Sequence, residues 1–249
     1  MIEALHYKDE KSDKFWRVET SGCMMLVNWG KTGTNGRWQM TEYDTEENCE
    51  KAASKLVSSK KKKDYREMPE FDSKAQTYFD IDEYGPHPLT SHPVFREYFS
   101  DELYYDCADE EAPFGSDEGS DTLALLQLEY KPGMDFAVFP KHLMEEEWGL
   151  VYLPPVMGQT DDELKEQAAK MYDFPGDEQM HMSDQVITAT ALGQIKITGK
   201  IDKDMLNMLL LSLDRRERMY RVLPGYQEYD TPYGIEIIKR DINNFKDAQ

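Results

Sequence analysis

Trp29-Gly30-Lys31-Thr32-Gly33-Thr34-Asn35-Gly36-Arg37 is the stretch that decides how this chain reads. A tryptophan and three glycines within eight residues exceed what a generic hairpin needs. Cys23–Trp29 leads into it and is apolar enough for a central strand. Upstream, Lys14–Thr20 carries Phe15 and Trp16 followed by polar alternation, and ends at Ser21-Gly22. Downstream, Arg37–Tyr43 alternates and predicts a third strand. Between these strands, Gly33 and Gly36 can take the positive φ that a chain reversal requires. Asp44-Thr45-Glu46-Glu47 then supplies a helix cap and acids for the first turn. On that helix Cys49, Ala52, Ala53, Leu56 and Val57 follow the spacing of one buried face. Lys60-Lys61-Lys62-Lys63 sits at the negative end of its dipole, and Asp64-Tyr65-Arg66 closes the unit.

This order of strands, Trp-Gly turn, strand, amphipathic helix and Lys-then-Tyr ending resembles the WGR domain, over about residues 5–67. The resemblance implies a small α+β module. The length and layout are similar to bacterial-type WGR-containing proteins that lack a polymerase catalytic domain. In DNA-dependent poly(ADP-ribose) polymerases, similar domains help grip a DNA break. By that resemblance Trp29 lies against sugar or base at a DNA end, with Lys31 and Arg37 near phosphates and Gly30, Gly33 and Gly36 shaping the turn. One departure is visible: the family's name-giving arginine is Lys31 here, which keeps the charge and loses the planar fork. Arg37 offers a guanidinium close by. No part of the chain looks like the ADP-ribosyl transferase itself. A packing role remains open for Trp29. So does a merely solvated helix end for Lys60, Lys61, Lys62 and Lys63. Trp16 and Trp38, inside strands, read as core or sheet-face residues.

Charge divides the chain. It carries a net −20, yet residues 1–68 hold 13 Lys/Arg against 12 Asp/Glu. The rest holds 16 against 37, which points to two domains with different partners. The expected organisation is a WGR-like domain at 1–68, a Pro-containing linker or docking segment at 69–93, and an acidic domain at 94–249. Tyr78, Phe79, Ile81 and Tyr84 are expected to pin the linker onto one of the domains. No stretch approaches the ~20 apolar residues of a membrane span. Cys23, Cys49 and Cys107 form no CxxC pair, which fits a reducing, cytoplasmic setting.

Beyond residue 93 the pattern is mainly helical. Helices are expected at Pro93–Phe99, at Ser120–Tyr130 with Ser120 as cap and Leu123, Leu126 and Leu128 apolar, and at Asp202–Arg218. Thr160-Asp161-Asp162-Glu163 is a capping box, leading a helix that carries Leu164, Ala168, Met171 and Tyr172 on one face. Ser183–Leu192 reads as helix, with strand as the alternative, and Tyr233–Ile238 as a short strand. The fold class is therefore α+β: a small antiparallel sheet with one amphipathic helix, then a helical bundle.

Asp101 to Asp121 carries nine acids and no lysine or arginine. Three readings compete. The acids serve a turn and a helix start, where the dipole favours them. Alternatively they form a surface for a basic protein, with Tyr104, Tyr105 and Phe114 as anchors among Asp106, Asp109, Glu110, Glu111, Asp117 and Asp121. Or they converge as a metal site or acid/base pair, although the register of a calcium loop is missing. Other chemistry fails: the five histidines are scattered, and there is no phosphate loop, GxGxxG or GxSxG. Cys107 sits among acids that oppose a thiolate. No cofactor and no catalytic residue is assigned. The leading expectation is a non-enzymatic protein that contacts nucleic acid through the first domain and a protein through the second. An inhibitor- or immunity-type protein for a basic partner is the alternative, and a carboxylate-based hydrolase or metal enzyme the next.

Overall fold

A computed structural model describes residues 1–248 and divides the chain into two compact units, 1–93 and 94–249. The fold class is α+β. In the first unit, β1 (Ile2–Lys8), β2 (Asp13–Ser21), β3 (Met24–Lys31), β4 (Arg37–Glu42) and the two-residue β5 (Arg66–Glu67) form one sheet. Its order is β4-β3-β2-β1-β5, every neighbour antiparallel. The sheet buries both faces. On one, Leu5, Trp16, Val18, Met25 and Val27 meet Cys49, Ala53 and Val57 of α1 (Glu46–Lys61). Thr45 caps that helix by accepting from the Asn48 amide at 3.2 Å. The buried stripe of α1 is narrower than its sequence predicts: Leu56 is exposed and Ala52 only half-buried. A single i, i+4, i+8 row is enough to seat a helix on a flat sheet.

Segment 69–93 covers the opposite face. Leu89 packs with Leu26 and Met40, flanked by Ile81 and Tyr84. Arg17 lies between the rings of Trp38 and Tyr78, 4.6 Å from each centroid, and donates to the Thr77 carbonyl at 3.2 Å. A guanidinium held between two rings keeps its charge while leaving little surface to water.

The second unit is helical: α2 (Pro93–Tyr98), α3 (Asp117–Glu129), α4 (Phe139–His142), α5 (Asp161–Ala168), α6 (Gly176–Thr198), α7 (Lys203–Val222) and α8 (Tyr233–Asp247). Its centre is α6, buried on nearly every side, which explains an apolar run ambiguous between helix and strand. At Gly193 a Cβ would lie 2.7 Å from the Leu126 side chain of α3, so glycine spares that packed leucine a shift. Asp184 of α6 receives both Nε and Nη2 of Arg215 of α7 at 2.9 Å, and Arg215 also donates to the Leu153 carbonyl at 2.7 Å.

Several sequence-based expectations are corrected. Tyr233–Ile238 is the start of α8, not a strand. The local alternation hides a helical row, Ile235, Ile238, Ile242 and Phe245, which emerges only over three turns. The capping box at Thr160 forms, but α5 stops at Ala168, leaving Met171 exposed and outside it. Helix α3 starts at Asp117 under a Ser116 cap, four residues before the expected cap Ser120, and Leu128 faces solvent.

Candidate functional site

The Trp29–Arg37 stretch forms the end of β3, a turn, and the start of β4. Each glycine in it has its own job. Gly33 (φ +84°) turns the chain in open space. Gly36 (φ +69°) has no room for a side chain: a Cβ would meet Phe15 at 2.6 Å and the Trp29 carbonyl at 2.7 Å. A Cβ on Gly30 would likewise lie 2.7 Å from the Gly36 Cα. Beneath the turn the buried Asn28 donates its Nδ2 to the carbonyls of Asn35 and Arg37, both at 3.0 Å. The turn is therefore folded down onto Phe15 and clamped from below.

Strand register then assembles a surface. Lys14 pairs with Lys31, Trp16 with Trp29, and Trp29 with Arg37. Directly paired residues share a face, so Lys14, Lys31, Trp29 and Arg37 lie on the α1 side of the sheet at one end. An open groove of about 670 Å³ runs there, lined by Lys14, Phe15, Trp29, Lys31, Arg37 and Tyr65 with the backbone of the turn, and among the described residues no acid lines it. Lys14, Lys31 and Arg37 are exposed, while Trp29 is half-buried against the sheet core. The acid adjoining Lys14, Asp13, is already engaged. It receives hydrogen bonds from Thr32, His6 and Lys8, which hold its carboxyl well below the usual carboxylate range.

The lysine run splits by position. Lys60 turns inward, its Nζ 5.5 Å from the Trp16 ring centroid and 5.1 Å from that of Tyr65. Burial lowers its pKa, and the neighbouring charges of Lys63 and Lys14 add to this. Lys61 pairs with Glu67 of β5. Lys62 and Lys63 are exposed. So Lys60 lies beside Tyr65 of the groove lining, and Lys61 is committed elsewhere. Sequence reading missed Lys14, Phe15, Tyr65 and Asn28. Lys14 and Tyr65 join the site only through cross-strand register and the chain's return after α1.

Residues 101–121 are placed differently. Tyr104 and Phe114 belong to the core of the helical unit, and the Tyr104 hydroxyl donates to Asp241 at 2.9 Å. Buried rings are not available as surface anchors, and only Tyr105 is part-exposed. The acids serve local structure. Asp101 accepts from the Leu103 amide, Asp106 from the amides of Ala108 and Asp109, and Asp109 from that of Glu111 and from the Tyr233 hydroxyl. Asp117 and Glu118 lie in the first turn of α3; Glu110 and Asp121 face solvent. Glu111 is part-buried, and burial pushes its carboxyl up. Among the described residues these acids form no three-ligand group.

Comparison with known proteins supports the assignment of the first unit. The WGR domain matches residues 1–72. The uncharacterized protein YfeS of Escherichia coli (strain K12) is 41% identical over 228 residues, covering 91% of this chain and 91% of its own. That likeness runs through the helical unit as well. Protein YehF of the same organism is 42% identical over 62 residues, 25% of this chain and 23% of its own. The match to a Bacteroides fragilis crystal structure covers 51% of this chain and 40% of that one at 24% identity, with a TM-score of 0.28. No helix among the described residues is long and apolar enough to cross a membrane. The chain belongs to the family of YfeS, with a WGR domain at its N-terminus.

Proposed function

We propose that the WGR domain binds nucleic acid through the groove at the end of β3, and that it prefers DNA ends. The observation carrying this reading is the acid-free lining of Lys14, Lys31 and Arg37 around Trp29 and Tyr65 on a chain of net charge −20. On so acidic a protein, three exposed cations with no acid between them make a local attraction for phosphate against a repulsive background. The rings supply the second term, because stacking on an aromatic tolerates any base and contributes ~1–3 kcal/mol per base. A ring at the rim of a sheet reaches a base only where the duplex is interrupted, which favours ends and nicks over continuous helix.

The test is titration of the full chain against a 5′-phosphorylated nicked hairpin at several salt concentrations. With three phosphates neutralised, log affinity falls against log salt with a slope of about −2.7. Between 50 and 200 mM salt that is roughly 40-fold. Lys31→Ala and Arg37→Ala each flatten the slope by about 0.9. A salt-independent affinity, or one that these substitutions leave unchanged, contradicts the reading.

A further inference from the structure

A second cluster lies in the helical unit. Glu129 ends α3, His142 ends α4, and Glu147 ends a π-helical turn at Leu143–Glu147. One donor atom from each lies within 4.8 Å of the others. His142 Nε2 is 3.6 Å from Glu129 and 3.8 Å from Glu147, while its Nδ1 faces Glu146 at 3.2 Å.

The π turn makes this arrangement. In a regular α-helix each residue advances by about 100°, so the fifth residue after His142 sits roughly 140° around the axis from it. Here the Trp148 amide bonds the Leu143 carbonyl at 3.0 Å, an i→i+5 closure. The wider turn brings Glu147 back over His142, leaving Glu146 beside the other ring nitrogen. Adjacent glutamates thus reach the two nitrogens of one imidazole. Among the described residues, neither lysine nor arginine forms an ion pair with Glu129, Glu146 or Glu147.

We infer that Glu129, His142 and Glu147 bind one divalent transition ion of the zinc type, with Glu146 orienting His142. Bonds of ~2.0–2.2 Å at the tetrahedral angle set donor atoms about 3.3–3.6 Å apart. The two distances from His142 Nε2 therefore need only a small inward shift. A carboxylate on Nδ1–H fixes the tautomer that leaves the Nε2 lone pair free for the ion, the arrangement typical of metal-bound histidine. The imidazole selects zinc-type ions over magnesium and calcium, which prefer all-oxygen sets. Three protein ligands leave a coordination position for water, and Glu129 and His142 are part-exposed while Glu147 is exposed. The ion would also tie the end of α3 to the π turn.

The test uses the full chain, stripped with chelator and titrated with Zn²⁺ by calorimetry, with Co²⁺ absorption reporting coordination geometry. One equivalent is expected, unaffected by excess Mg²⁺. His142→Ala and Glu147→Gln are each expected to weaken binding at least 10-fold, and Glu146→Gln about 10-fold. The thermal transition of the helical unit should rise with Zn²⁺ in the parent chain and not in His142→Ala. Cys107→Ser serves as a control and should leave binding unchanged. No stoichiometric Zn²⁺ uptake, displacement by Mg²⁺, or binding that survives His142→Ala overturns the inference.

Discussion

Substituting alanine for each glycine of the turn separates two physical reasons for glycine. At Gly33 (φ +84°) a methyl group meets nothing within 4 Å, so only backbone strain is added. That strain is roughly 1–2 kcal/mol for a residue held in the left-handed region. At Gly36 (φ +69°) the same strain applies, and the Cβ also meets the Phe15 ring at 2.6 Å, the Trp29 carbonyl at 2.7 Å and Asn28 Nδ2 at 3.0 Å. A backbone oxygen cannot yield without moving β3, and Asn28 cannot yield without giving up its clamp on the turn. Forced overpacking adds about 1–3 kcal/mol, for a total of roughly 2–5 kcal/mol. Gly30 has the clash without the positive φ, since its added Cβ would lie 2.7 Å from the Gly36 Cα, so about 1–3 kcal/mol. In a unit of 93 residues, 1 kcal/mol moves Tm by ~4–8 °C. Calorimetry on the full chain should show Gly36→Ala lowering the transition of the first unit most, with the helical unit's transition unmoved. If Gly33→Ala costs more than Gly36→Ala, or Gly36→Ala is neutral, the packing of the turn onto Phe15 is wrong.

Other consequences follow from individual contacts. Asn28→Ala removes two hydrogen bonds to the turn, which should cost roughly 2–3 kcal/mol by denaturant unfolding and also weaken binding at the groove; stability within 0.5 kcal/mol of the parent would exclude the clamp. Arg215→Ala leaves Asp184 buried without its cation, and should destabilise the helical unit by about 3–5 kcal/mol, with Arg215→Met plus Asp184→Leu recovering most of it. His181 is pushed down to about 4, first by burial and then by the charge of Arg216. Unfolded, it titrates near 6.5, so between these values the unfolded chain takes up a proton that the folded chain refuses. Stability is therefore full above about pH 6.5 and falls towards pH 4, by an amount on the order of 2 kcal/mol because the ring still reaches solvent. His181→Asn should flatten that part of the pH–stability curve, and an unchanged curve would refute the burial argument. Residues 94–249 hold 15 Lys/Arg against 32 Asp/Glu, so residues 1–93 alone should bind DNA more tightly than the full chain at low salt. Equal affinity of fragment and full chain would mean that the acidic unit does not act on the groove.

Much of the first unit was legible in the sequence because its signals are local. Trp29-Gly30, the glycine spacing and the helix cap each act within a few residues. The strand β1 and the covering segment 69–93 were harder to read. Ile2–Lys8 has too little alternation to stand out, and Leu89 becomes core only because Leu26 and Met40 present a second apolar face. The groove was half-legible for the same reason. Lys31 and Arg37 flank the tryptophan in sequence, whereas Lys14 and Tyr65 join them through register and topology. In the helical unit, Tyr104 and Phe114 looked like anchors because acids surround them in sequence; in space their rings point inward while the acids cap turns. The grouping of Glu129 with His142 and Glu147 has no sequence signature, since it depends on a π turn and on the end of α3, thirteen residues before His142.

The most direct measurement is photocrosslinking of the full chain to a nicked hairpin with 5-bromouracil beside the break, followed by mass-spectrometric mapping. The account predicts crosslinks on Trp29 and Tyr65 or in the peptide carrying Lys31–Arg37, lost in Trp29→Leu and at high salt. Crosslinks confined to other surfaces, or none at a DNA concentration that saturates binding, would contradict the assignment of the groove.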